Sequence, residues 1–281
     1  MSSVLPPIAT RIDQVDGTKS IGGQEPDGAE DRPKPFALRL IKGNAGLIVA
    51  PLVIVLGAVA LVVNYQRADR IFQDERALNW DRNLRPQLEQ HLSITIWATL
   101  FTILIAVPLG ILLTRARYRR FGGPILAVAT SGQAVPAFGL LVLAFAWLGR
   151  GQWTTIWALT LFTLLPVLRN TMVGLEQVDR SVIEAGRGMG LTAGQVLRRV
   201  ELPLAVPVIL AGVRTALVIT VGMAALAFLI GGGGLGVTIN AGLGLSRDVV
   251  LITGAGLTAL VALTVDWIAA LVERALRPRG L

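Results

Sequence analysis

The sequence predicts an all-α polytopic membrane protein with six transmembrane helices and a long polar loop on the cytoplasmic face. Three observations carry that reading. Of 281 residues, 53% are hydrophobic and only 16% are charged, where a soluble domain carries about a quarter charged residues. Mean hydropathy is +0.64. Six runs hold no Asp, Glu, Lys or Arg: 44–63, 92–114, 124–148, 153–168, 215–230 and 249–265. Most approach the ~20 residues a helix needs to cross a ~30 Å hydrocarbon core.

Residues 1–35 are rich in Gly, Pro, Ser and charge, and they bury too little apolar surface to order themselves. Arg11 and Lys19 there face Asp13, Asp16, Glu25, Asp27, Glu30 and Asp31. This stretch is expected to be a disordered cytoplasmic tail, of which residues 1–31 are expected to be dispensable for insertion and basal transport. It lacks the basic and apolar regions of a cleaved signal peptide. Residues 36–63 form the first span. Residues 64–91 form an external loop, in which Leu78, Trp80 and Leu84 predict a short amphipathic helix resting on the membrane surface. Residues 92–275 make the core of five further spans, with the polar loop at 170–203. The fourth apolar run is short, so that helix is upright or extended by its polar flanks. Residues 276–281 form a cytoplasmic C-terminus.

Charge sets the orientation. The basic residues Arg32, Lys34, Arg39 and Lys42 precede the first span, and Arg115, Arg117, Arg119 and Arg120 follow the second. Arg169, Arg180, Arg187, Arg198 and Arg199 lie between the fourth and fifth, and Arg274, Arg277 and Arg279 follow the sixth. The other side holds Arg67, Arg70, Arg76, Arg82, Arg85, Arg150 and Arg247, largely offset by the acids of the 64–91 loop. The positive-inside bias places both termini and the 170–203 loop in the cytoplasm. The net charge of +8 therefore reports orientation in a lipid bilayer and implies no nucleic acid partner.

Within the spans, Thr95, Thr99 and Thr102 recur at i, i+4 and i+7 and share a face of the second helix. Ser131, Gln133 and Pro136 bring polarity and a backbone break into the third, which is tolerated where it packs on protein or lines a cavity. These six residues are candidates for a translocation path; hydrogen bonds and small-residue packing between helices are the alternative. Arg214 and Asp266 are the charges nearest the apolar core of the fifth and sixth spans, at similar depth. They are a candidate intramembrane ion pair, against which stands snorkelling of Arg214 with Asp266 meeting backbone or water. Trp97, Phe101, Phe138, Trp147, Trp153 and Trp157 are expected in the lipid belt or in packing.

Several chemistries are excluded. There is no cysteine and a single histidine, His91, so thiolate catalysis, disulfides and multi-histidine metal sites are ruled out. His91, at the start of a span, is read as an interfacial polar residue. No ATP-binding loop G-x-x-x-x-G-K-[ST] occurs. The run Gly231-Gly232-Gly233-Gly234-Leu235-Gly236 lacks the lysine and falls at the external end of the fifth span, away from cytoplasmic ATP. A membrane hydrolase would need clustered acids or Ser–His pairs, and none is seen. No cofactor is expected.

The most informative segment is Glu184-Ala185-Gly186-Arg187-Gly188-Met189-Gly190, followed by Val200-Glu201-Leu202-Pro203. Residues 175–203 should form short helices, with Asp179 as an N-cap and Pro203 in the first turn of the next helix. Glu184 and Arg187, three apart, share a helical face. The pattern E-A-G-x-x-x-G-x9-V-x-L-P resembles the cytoplasmic coupling motif of binding-protein-dependent ABC transporter permeases, with Gly186 in place of the second Ala and Val200 in place of Ile. From about Ser131 to Glu273 the chain resembles the glycine betaine/carnitine/choline branch. The stretches Leu165–Thr171, Pro207–Ala216 and Ile230–Gly236 carry that likeness beside the motif.

The resemblance implies an ABC importer type I permease fold and a permease subunit in a bacterial cytoplasmic membrane, not an enzyme. It implies two ATP-binding cassette subunits that bind and hydrolyse ATP, a second copy of this chain or a related permease, and an extracytoplasmic substrate-binding protein. Glu184, Ala185, Gly186, Arg187, Gly190, Val200, Leu202 and Pro203 would form the ATPase-coupling surface. The expected cargo is a compatible solute of the quaternary-amine class. An importer for another small solute, or a scaffold whose loop docks a partner without transport, are the competing readings.

Overall fold

A computed structural model describes residues 36–276, with side chains from Val49 onward; the expected tail over 1–35 and the end of the C-terminus lie outside the described residues. Among the described residues there are helices and no strands. The helices are α1 (Phe36–Arg67), α2 (Phe72–Ala77), α3 (Arg85–Thr114), α4 (Arg119–Gln133), α5 (Ala137–Leu148), α6 (Gln152–Glu176), α7 (Arg180–Gly188), α8 (Ala193–Val196), α9 (Leu202–Ala224), α10 (Gly236–Leu245) and α11 (Asp248–Leu276). A π turn, Trp80–Leu84, runs into α3, and a second, Leu197–Glu201, runs into α9. Five helices are long and apolar enough to cross a membrane, or six if the pair α4–α5 is one span.

That pair is the third expected span, broken where Pro136 was expected to interrupt it. α4 and α5 meet at 96°. Pro136 is the cause: it disfavours helical geometry in the residue before it and caps α5 with extended backbone (ψ 137°). The short fourth run resolves as a helix of 25 residues, extended by Gln152 at one end and Arg169–Glu176 at the other. The fifth run is not one helix. α9 stops at Ala224, and Ala227–Ile230 forms a tight 3-10 turn before the glycine run.

α6 is the core of the bundle, packed between α3 and α9. Close approach is made by small residues, as membrane helices require. A Cβ on Gly174 would sit 3.1 Å from the Ala205 carbonyl oxygen, and one on Gly212 only 2.5 Å from Asn170 Cβ. Threonines stitch the α3–α6 seam. Thr102 and Thr163 share a hydrogen bond of 2.9 Å, and the Thr160 hydroxyl donates to Ala98 O. α1 touches the core through a reciprocal pair: Leu61 packs on Gly256 of α11, and Leu260 of α11 packs at Gly57. Tyr65 also packs on the cluster of Leu78, Leu84, Val249 and Val250, while Leu52, Val55, Leu56 and Val59 are exposed, as lipid-facing surface is.

At the end of the bundle opposite α7, the segment joining α1 to α3 departs from expectation. Leu78 and Leu84 are buried against Val249 and Val250 of α11, so protein, not a membrane surface, covers this apolar face; Trp80 alone stays exposed. The fold holds α2 by charge. Asp74 is fully buried, and the Arg247 guanidinium donates to it at 2.6 and 3.0 Å and to Asp69 O at 2.8 Å. Arg247 holds the Asp74 carboxyl below the usual carboxylate range. A carboxyl depressed by folding stabilises fully above its ordinary pKa, near 4, and loses that contribution as pH falls through its folded value. Hydrogen exchange over residues 69–84 is therefore expected to stay slow at neutral pH and to accelerate below about pH 4. Arg247→Ala, which leaves the Asp74 carboxylate without its partner, should produce that acceleration at neutral pH. Slow exchange in that variant would refute the clasp.

His91, expected as an interfacial polar residue, is fully buried in the protein beside Gly234. Its neighbour Gln90 accepts from the Gly234 N–H at 3.1 Å, while Gln87 accepts from both the N–H and hydroxyl of Thr238. The start of α3 thus grips the glycine run.

Candidate coupling loop and translocation face

The loop between α6 and α9 is built from caps. Asp179 accepts from the Ser181 N–H at 2.8 Å and starts α7. That bond holds its carboxyl below the usual range. α7 stops at Gly190, which adopts φ +83°. The Gly190 N–H reaches Arg187 O at 2.9 Å, and the Leu191 N–H reaches Gly186 O at 3.2 Å. These are the two bonds of a Schellman cap, whose left-handed residue favours glycine. The second glycine of the motif, Gly190, is thus a helix stop. Thr192 and Gln195 then form a capping box that starts α8.

Glu184, Ala185, Arg187 and Gly190 are exposed, with Val182 and Met189 beside them. Gly186 is buried against Leu191, Val196 and Val200, and a Cβ there would meet them at 3.6–3.7 Å. The two departures from the motif, Gly186 and Val200, therefore face each other. Leu202 and Pro203 open α9, where the missing proline N–H costs nothing. Charged Glu184 and Arg187 and apolar Val182 and Met189 together form part of the exposed surface of α7.

Two charged groups to which the sequence assigned no role complete this end. Glu201, almost fully buried, receives Arg115 at 2.5 and 3.2 Å, from the end of α3. Glu273 lies 3.6 Å from Arg214. A signal for Glu201 existed: a carboxylate flanked by Val200 and Leu202 at a span's entrance needs a partner.

Arg214 and Asp266 are brought together in a fork, Nε to Oδ1 at 2.6 Å and a terminal nitrogen to Oδ2 at 2.8 Å, which joins α9 to α11. The six path candidates do not share one surface. Thr95, Thr99 and Thr102 are buried within the subunit, where Thr95 donates to His91 O and Thr102 bridges to α6. Ser131 and Gln133 are exposed at the α4–α5 bend. Gln133 has a specific task. Pro166 has no N–H for the carbonyl of Phe162, four residues earlier. The Gln133 side-chain amide donates to that oxygen at 3.3 Å. Trp97, Phe101, Trp153 and Trp157 form an aromatic ladder along α3 and α6, with Phe101 stacked on Trp157 at 4.9 Å.

Helices long and apolar enough to span a membrane, with a capped, outward-facing loop helix between two of them, define a polytopic membrane protein. Residues 106–278 match the family described as binding-protein-dependent transport system inner membrane component, and the chain belongs to that family. It is 40% identical over 192 residues to the choline transport system permease protein OpuBB of Bacillus subtilis, covering 68% of this chain and 88% of that one. It is 42% identical over 190 residues to the glycine betaine/carnitine/choline transport system permease protein OpuCD of the same organism, covering 67% and 82%. The osmoprotectant import permease protein OsmW of Salmonella typhimurium is 39% identical over 197 residues, covering 68% and 91%. Among solved structures, the native crystal form of the inward-facing MetNI methionine ABC transporter superposes with a TM-score of 0.61 over 69% of this chain and 96% of that one, at 24% identity. That likeness places the fold among type I ABC importer permeases.

Proposed function

We propose that this chain is the permease of an importer for a quaternary-ammonium compatible solute, the class of glycine betaine, choline and carnitine. Relatives named for those solutes support the cargo. The observation that carries the mechanism is α7: a short helix, capped at both ends, exposed on its charged face and packed by its glycine face onto the entrance to α9. Two ATPase subunits, each hydrolysing ATP, dock on α7 of two permease copies or of this chain and a related one. An extracytoplasmic binding protein delivers the solute to the opposite end. Both termini and the α7 loop face the cytoplasm of a bacterial cell. The permease needs no cofactor, because ATP stays on its partners. The solute passes the α4–α5 bend, where Ser131, Gln133 and Pro136 present polar side chains and broken backbone, while Thr95, Thr99 and Thr102 hold the helices behind the subunit surface together.

Glu184→Lys reverses the charge on the docking face and leaves the spans untouched. In proteoliposomes with ATPase and binding protein, this variant is expected to lose solute uptake by about tenfold or more, while its thermal stability stays that of the wild type. Uptake at the wild-type rate would refute the docking role of α7.

A further inference from the structure

The chain connects α7 directly to α6 and α9 only. α3 has no covalent link to the loop, and its last residues lie 86 positions from Glu201. Yet the two are joined. α7 rests through Gly186 on Val196 and Val200. Val200 lies in the π turn that ends at Glu201, and Glu201 holds Arg115. Arg115 in turn is fixed to α3: its Nε donates to Ile111 O at 3.3 Å and its guanidinium reaches the Thr114 hydroxyl at 3.2 Å. The cation also lies on the final carbonyls of α3, where the helix dipole favours it.

We propose that the Arg115–Glu201 pair is the positioning link that makes α3 move with α7, so that displacement of the docking helix reaches the second span as well as the fifth. This rests on the docking role of α7. Three features argue for a link and against a chance contact. The carboxylate is taken in a two-pronged fork, which fixes direction as well as distance. Glu201 is nearly sealed from solvent, unlike surface pairs that contribute little. And a buried ion pair adds little net stability over an apolar pair of the same volume, so what it supplies here is a defined geometry between two elements. The π turn contributes to the aim. One extra residue per turn rotates Glu201 inward before α9 begins, a device common at functional sites.

The chain has no cysteine, so spin labels can be placed at will. Labels at Ala116→Cys and Met189→Cys report the α3–α7 distance on the permease alone in lipid, independent of any ATPase. A narrow distribution is expected in the labelled parent and a clearly broader one in Arg115→Gln and in Glu201→Gln. In the complete transporter, solute imported per ATP hydrolysed should fall by about tenfold in each. Arg115→Gln strands a buried carboxylate and should also lower thermal stability. The double variant Arg115→Gln/Glu201→Gln removes both charges and should recover that stability while remaining broad in distance and poorly coupled. Coupling that returns with stability in the double variant would make the pair merely structural and overturn the proposal. So would single variants with parental distances or parental coupling. Failure of Glu184→Lys to affect uptake, with these distances still sensitive to the pair, would sink the docking role and leave the link standing.

Discussion

Gly236→Ala is expected to prevent the far end of the bundle from closing. A Cβ at this position would overlap the Ala225 carbonyl oxygen, which is backbone and has nowhere to go. The start of α10 would have to lift off the end of α9, losing the hold of Gln87 on Thr238. A loss of about 3 kcal/mol is expected, measured as a lowered unfolding midpoint in lipid nanodiscs. Gly186→Ala is the control. There the nearest atoms stand at 3.6–3.7 Å, and alanine in a helix gains about 0.5–1 kcal/mol over glycine. Equal behaviour of the two variants would show that the close approach at Gly236 is not as described. In the glycine run, Gly236 is thus explained by close contact, and Gly231, Gly233 and Gly234 by their left-handed backbone.

Asp266→Ala should cost about 2 kcal/mol, below the range for a sealed ion pair because about a third of each side chain is open. It leaves Arg214 with Glu273 alone at 3.6 Å. The double variant Arg214→Leu/Asp266→Leu should recover most of the loss, since an apolar pair replaces charges within a bundle. Thermal unfolding of the three proteins tests this; a single variant as stable as the wild type would refute the pair's contribution.

The helical class and the location of the spans were legible because bilayer thickness imposes a run length that composition displays directly. The build of the α6–α9 loop was legible for a local reason: Asp179, Gly190 and Pro203 act on their own neighbours, as cap, stop and helix opener. Arg214 and Asp266 were placed at one depth by counting residues along two helices. What escaped depends on distant atoms. Gln133 has meaning only once Pro166 leaves Phe162 without a donor. Arg115 finds Glu201 across 86 residues. The pattern of Leu78 and Leu84 announces an apolar face but is silent on whether lipid or Val249 and Val250 cover it. α10 escaped because its ten residues, with Thr238, Asn240 and three glycines among them, are too short and too mixed to stand out as a span.

The reciprocal packing of Leu61 on Gly256 and of Leu260 at Gly57 imposes an order on assembly. During synthesis the N-terminal part of a chain emerges first, so α1 enters the bilayer ahead of every other span. Its seat is on α11, the last. Until that helix is made, α1 is a lone hydrophobic rod surrounded by lipid. The outer clasp obeys the same schedule, since Asp74 waits for Arg247. Among the described helices, α1 therefore finds its seat only when α11 follows it.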